Sequence, residues 1–105
     1  MLANKDYCDK DTAFALQELG YNPYMFYNDG TPAIHLWYAQ KFLREKKRII
    51  VEVFVDDDSD TPITYNIYRY GVCVCHHHGK YWSVKEWSEA LSEGIKEAVK
   101  ILKKK

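Results

Sequence analysis

Residues 49–55 have the sequence IIVEVFV, and this stretch decides the fold. Nearly all of its side chains are apolar, and most are β-branched or aromatic, which favours a buried strand. The acidic run DDDSD at residues 56–60 follows directly and predicts a solvated loop. Residues 63–70 predict a second strand, so we expect an antiparallel pair joined across that loop. Residues 72–76 either extend the second strand or form a third one.

A first helix is predicted over roughly residues 10–19. Asp9 or Asp11 can cap its free N–H groups, and Gly20 lies where a left-handed residue commonly ends a helix. The aromatic segment at residues 24–27, YMFY, is followed by the turn signal NDG. We expect this segment to be a strand.

A second helix is predicted to begin with Thr31 as its cap and Pro32 in its first turn, where the missing N–H is not needed. Its apolar residues recur at helical spacing, and it ends among the cations of residues 41–48, which suit the negative end of the helix dipole.

The last helix carries the clearest start signal, because Ser83 and Glu86 have the spacing of a capping box. Trp87, Leu91, Ile95, Ala98 and Leu102 then form an apolar stripe, and we expect it to be buried against the sheet. Gly94 lies in the middle of this helix at a cost of about 1 kcal/mol relative to Ala. We explain it by a close approach to the sheet.

Together these elements predict one α+β domain over residues 1–105. A small antiparallel sheet of two to four strands packs against about three helices, in the order α-β-α-β-β-(β)-α. A chain of 105 residues with 47% hydrophobic and 29% charged residues is neither disordered nor a membrane protein by composition. No apolar run approaches the roughly 20 residues that a transmembrane helix needs.

Residues 31–45, TPAIHLWYAQKFLRE, resemble a motif of small proteins from prophages and mobile elements of Bacteroides-type gut bacteria. Residues 87–95, WSEALSEGI, are similar to the C-terminal helix of those proteins, and residues 16–21, LQELGY, to an earlier helix ending. The resemblance covers nearly the whole chain in order. It implies an accessory role in a phage or mobile element and carries over no catalytic residue. The sequence CVCHHH at residues 73–78 departs from the pattern.

The densest group of soft ligands is Cys73, Cys75 and His77, which an extended strand would place on one face. Two thiolates and an imidazole could occupy three corners of a zinc site, with Cys8 or His35 as the fourth ligand, but the spacing is not that of a zinc knuckle. A thiol nucleophile paired with His77 is the other chemistry that these residues allow. We expect neither a bound cofactor nor an enzyme. The odd cysteine count and the lack of a signal-peptide core predict reduced thiols in the cytoplasm.

Binding is the function class that the composition favours. Fifteen Lys and Arg balance fifteen Asp and Glu, so a nucleic-acid partner is not favoured. A single strand could nevertheless be bound by a group of cations near Trp37, Tyr38, Tyr68 and Tyr70, namely Arg44, Lys46, Lys47, Arg48 and Arg69. Nine Tyr, four Phe and three Trp are more aromatic side chains than one small core hides. We therefore expect a protein partner, and in particular self-association into a homodimer.

Overall fold

The computed structural model describes residues 5–56, 58–76 and 80–104. Three helices and three strands make up an α+β fold in which a small antiparallel sheet packs against the helices, as predicted. The elements are α1 (Lys10–Glu18), α2 (Leu36–Lys46), β1 (Ile49–Val55), β2 (Ile63–Arg69), β3 (Val72–His76) and α3 (Trp87–Lys103), with a 3₁₀ turn at Val84–Glu86.

The sheet has the strand order β1-β2-β3, and both pairs are antiparallel. Residues 72–76 are thus a separate third strand. Val51 lies opposite Ile67, and both are buried on the face that the helices cover. The side-chain amide of Gln40 donates to the Val51 carbonyl at 2.7 Å, which ties α2 to β1.

Helix α3 crosses the covered face of the sheet. Leu91, Ile95, Ala98 and Leu102 are buried, which confirms that part of the predicted stripe. Gly94 lies where a Cβ atom would be 2.5 Å from Val51 Cγ1, so the predicted close approach to the sheet is confirmed.

Trp87 is the part of the stripe where the prediction was wrong. It remains 42% exposed. The Ser83 N–H donates to the Glu86 carboxylate at 2.9 Å, as a capping box requires, but the first turn is 3₁₀ and α3 begins only at Trp87. Trp87 is itself α-helical, so it lies on the same side of the helix as Leu91 but one turn nearer the helix start, at the end of the stripe.

Helix α1 begins and ends as predicted. The Thr12 N–H donates to the Asp9 carboxylate at 2.8 Å, and Gly20 has a φ of 109° just after the helix. The ammonium of Lys96 on α3 lies 3.2 Å from the same carboxylate. Burial raises the pKa of Asp9, but the Thr12 hydrogen bonds and Lys96 lower it more, so the pKa lies below its usual value.

This contact predicts a pH dependence of stability. A carboxyl whose folded pKa is lowered stabilises the fold above its unfolded pKa, about 3.9, and that contribution is lost as pH falls through the folded pKa. Asn is also a good cap, so Asp9→Asn removes mainly the charge. We expect the variant to be less stable than wild type at pH 7 and the gap to narrow as pH falls below the unfolded pKa of about 3.9, measured by urea unfolding. Asp11→Asn is the control, and a gap that does not narrow at all between pH 7 and about pH 2 contradicts the account.

The aromatic segment at residues 24–27 is not the strand that we predicted. It contributes one isolated bridge, between Phe26 and Pro32, and the Tyr27 N–H donates to the Thr31 carbonyl across the turn. The segment has no strand of the sheet beside it in the described chain, so its side chains reach solvent.

Helix α2 starts later than predicted, because Thr31 and Pro32 belong to the preceding extended segment. The helix begins at Leu36 and is capped by His35, whose Nδ1 accepts from the Trp37 N–H at 3.1 Å. The extended segment is held by the N-terminal residues: the Cys8 N–H donates to the Ile34 carbonyl at 2.8 Å, and the Leu36 N–H to the Asp6 carbonyl at 2.9 Å.

Among the residues that the structure describes, no helix combines the length and the apolar composition needed to span a membrane.

Candidate functional site

Five large side chains of two adjoining segments are more than half exposed. We call them the aromatic surface: Tyr24, Met25, Phe26, Trp37 and Tyr38. Tyr24 and Trp37 are 74% and 71% exposed. Exposed apolar side chains that are grouped on one part of a surface commonly mark an interaction site.

Two segments build the aromatic surface. The Ala33 N–H donates to the Met25 carbonyl at 2.9 Å, which joins the 24–27 segment to the residues before α2. The His35 ring then lies 6.4 Å from the Trp37 ring and 6.1 Å from the Tyr38 ring, both edge-on. The Tyr38 hydroxyl raises the pKa of Tyr24 through its charge and a hydrogen bond, so these two side chains also meet.

Charges adjoin the aromatic surface along α2. Lys41 and Glu45 follow Tyr38 at intervals of three and four residues, so all three lie along one exposed side of the helix. Neither charge forms an ion pair within the described residues. The surface is therefore an uncharged patch next to one cation and one anion.

The sequence-predicted cations Arg44, Lys47 and Arg48 lie at the end of α2 and the start of β1. The strand register brings Arg69 to the same end of the sheet, because it lies opposite Ile49. The Tyr70 N–H donates to the Arg48 carbonyl at 3.4 Å, and the Arg69 guanidinium lies 5.6 Å from the Tyr70 ring centre. We call this group the basic end: Arg44, Lys46, Lys47, Arg48, Arg69 and Tyr70.

The predicted thiol cluster is divided by the sheet register. Cys73 lies opposite Tyr68 and Cys75 opposite Ile67, because the register skips Val74. Adjacent residues of β2 face opposite sides, so the two cysteines also face opposite sides and not the same one, as alternation had predicted. The Cys73 thiol donates to the Cys75 carbonyl at 3.7 Å. His77 lies outside the described residues.

The cysteines that the structure describes are all free thiols. Burial raises the pKa of Cys8 to about 12, and burial together with Glu97 and Cys73 raises the pKa of Cys75. Both thiols are thus protonated at neutral pH, which favours neither metal ligation nor nucleophilic attack. Among the described residues, no three His, Cys, Asp or Glu side chains are grouped as metal ligands.

An open cleft of about 640 Å³ lies between the N-terminal segment and α3. Tyr7, Cys8, Tyr27 and Trp82 line it with apolar surface. At its side, the Lys80 ammonium lies 5.4 Å from the Trp82 ring centre and 3.8 Å from Glu93. No local sequence pattern marks this cleft, because its walls come from four separate segments of the chain.

The comparisons with known proteins identify no relative: no family model matches the chain, and no curated protein or solved structure matches it.

Proposed function

We propose that this chain is a small cytoplasmic accessory protein that acts by binding a protein, of the kind that its sequence resembles in prophages and mobile elements. The observation that carries the binding role is the aromatic surface. Large aromatic side chains are the residues that protein interfaces favour, because they bury much area at little conformational cost. The free thiols agree with a reducing compartment.

The partner that this surface fits is a second copy of the chain. The formal net charge is zero, so two copies do not repel each other at long range. The patch itself is uncharged and adjoins one cation and one anion, Lys41 and Glu45. A two-fold dimer can set Lys41 of each copy near Glu45 of the other while the aromatic side chains cover one another.

Sedimentation at tens of micromolar tests the proposal. We expect a dimer for the wild type and a monomer for the double variant Tyr24→Ser, Trp37→Ser, which removes the two most exposed rings of the surface. Tyr70→Asn is the matched control, because Tyr70 is equally exposed but lies at the basic end. A monomeric wild-type protein at that concentration contradicts the proposal, and so does a dimer that the double variant retains.

A charge exchange tests the two-fold arrangement. Lys41→Glu places two glutamates opposite each other across the interface, so we expect a weaker dimer. Adding Glu45→Lys to the same chain restores opposite charges in both copies and is expected to restore the dimer. If the double exchange is as weak as the single one, then Lys41 and Glu45 do not face each other between copies.

A further inference from the structure

Cations on the two sides of this molecule have different environments. Four lysines form ion pairs, three of them on α3: Lys80, Lys96, Lys100 and Lys103. The cations of the basic end form none within the residues that the structure describes: Arg44, Lys46, Lys47, Arg48 and Arg69. Five of the cations without an ion pair among the described residues thus lie together at the basic end, while others, such as Lys41 and Lys85, lie elsewhere.

At the basic end, one buried nitrogen atom of Arg69, the Nε, lacks a hydrogen-bond partner among the described residues. A buried N–H without an acceptor destabilises a fold, and in native structures it commonly indicates a ligand or solvent group. Because the group is a guanidinium, the acceptor that fits it best is an anionic oxygen, as in a phosphate.

Two residues of the basic end have strained backbone conformations. Arg48 and Tyr70 are the non-glycine residues with positive φ among the described ones, at 57° and 54°. Tyr70 and Gly71, with a φ of 81°, join β2 to β3, and a tight turn with positive φ at both positions prefers Asn-Gly. Arg48 follows the C-cap of α2, where Gly is preferred. At both positions the fold alone favours another residue, and strain of this kind clusters at functional sites.

We propose that the basic end binds single-stranded nucleic acid, with Arg48 and Arg69 on phosphates and Tyr70 stacked on a base. Tyr70 is 72% exposed, and its ring already lies beside the Arg69 guanidinium. Cations that follow a backbone, with an exposed ring for the bases, are the features that single-strand binding requires. A site that binds free phosphate alone would not need the exposed Tyr70 ring, because phosphate has no base to stack on it. This proposal does not depend on the aromatic surface.

The zero net charge does not oppose this binding. Asp56, Asp58 and Asp60 follow the far end of β1, which has seven residues and is about 23 Å long at about 3.3 Å per residue. That distance exceeds the screening length of roughly 8 Å at physiological ionic strength. A bound strand therefore meets the cations of the basic end and little of the acidic loop.

The test measures anisotropy of a labelled 20-nucleotide oligothymidylate at low salt and across a salt series. We expect saturable binding whose affinity falls as salt rises. Arg48→Gly removes one phosphate contact, so the log–log salt slope is expected to fall by about 0.7. Tyr70→Asn removes the stacking ring and is expected to weaken binding about tenfold.

Melting temperature separates a binding role from a structural one. Both variants introduce the residue that the local backbone prefers, so neither is expected to lower the melting temperature while both weaken binding. Lys100→Gln is the matched control for charge and is not expected to weaken binding.

Three results would overturn the proposal. The first is no binding by the wild type at tens of micromolar protein in low salt. The second is binding that Tyr70→Asn leaves unchanged. The third is equal affinity for inorganic polyphosphate or for poly-glutamate, which points to a general anion or an acidic protein. Because Tyr70 and Arg48 lie outside the aromatic surface, loss of the dimer and loss of this binding are separable.

Discussion

Replacing Leu91 by alanine is expected to lower the free energy of unfolding by about 2–5 kcal/mol. Leu91 is 3% exposed on the side of α3 that packs on the sheet. The next residues along that side are Gly94, which has no side chain, and Ile95, which is itself fully buried, so neither is free to fill the cavity that the substitution leaves. The cost is therefore expected to include the cavity as well as the lost transfer free energy, and urea unfolding at pH 7 measures it.

Val84→Ala is the control for this measurement. Val84 is an apolar residue just before α3, but it is exposed, so its truncation is expected to change stability by no more than about 0.5 kcal/mol. If Leu91→Ala also changes stability by less than about 0.5 kcal/mol, then this side of α3 does not face the core.

Gly94→Ala is expected to lower stability by about 1–3 kcal/mol, the usual range for an overpacked core. On helix propensity alone the change should stabilise α3 by about 1 kcal/mol. The new methyl group, however, would lie 2.5 Å from Val51 Cγ1 and 3.2 Å from Tyr65 Cδ1. Val51 has a short, branched side chain that is buried against α3, so it cannot move aside without a cost in packing energy. The steric cost of the new methyl group is therefore expected to exceed the gain in helix propensity.

A double-mutant cycle isolates that steric contact. Val51→Ala alone destabilises by leaving a small cavity beside Gly94. When Gly94→Ala is added to the same chain, the new methyl group occupies part of that space, so we expect the two single costs to sum to more than the cost measured for the double variant. Strictly additive costs in urea unfolding would mean that Val51 and the methyl group do not compete for the same volume.

The sequence predicted best where a local pattern and the tertiary environment agree. Helix α1 is defined by Asp9 at one end and Gly20 at the other, and both act over a few residues. Strand β1 forms where its β-branched composition predicted it, but only Ile49 and Val51 are buried, and Ile50 and Val55 are exposed on the other face, so the predicted burial of both faces was wrong. Gly94 could be explained in advance because a glycine inside a strongly amphipathic helix implies that something lies too close for a side chain.

The prediction failed where distant segments decide the outcome. The Thr31-Pro32 pair has the composition of a helix start, but bonds from Asp6 and Cys8 hold the residues before α2 extended. His35, which is not among the residues that usually cap helices, then takes that role. The segment at residues 24–27 has strand-like composition but no neighbouring strand to pair with in the described chain, and composition alone does not reveal this.

The candidate sites also contain some residues that the sequence alone reveals and others that only the strand register brings together. Arg44, Lys47 and Arg48 are visible as a charge run, whereas the approach of Arg69 and Tyr70 depends on the register between β1 and β2. The pairing of β3 with Tyr68 and Ile67 separates Cys73 from Cys75, because one residue is skipped. The sequence contains no signal for a skipped residue here, so alternation predicted one face for both thiols.

The contacts between the first and the last helix have a consequence for how the chain folds during synthesis. The Ser88 hydroxyl donates to the Asp6 carboxylate at 2.7 Å, Lys96 pairs with Asp9, and Lys103 with Glu18 at 3.1 Å. Each contact joins residues that the ribosome makes more than eighty positions apart, and such contacts form late because a long loop must close first. Helix α1 therefore leaves the ribosome early without the surface on which it docks. Helix α1 can dock only after α3 has been synthesised. A nascent chain that stalls within β3 therefore contains an incompletely folded domain.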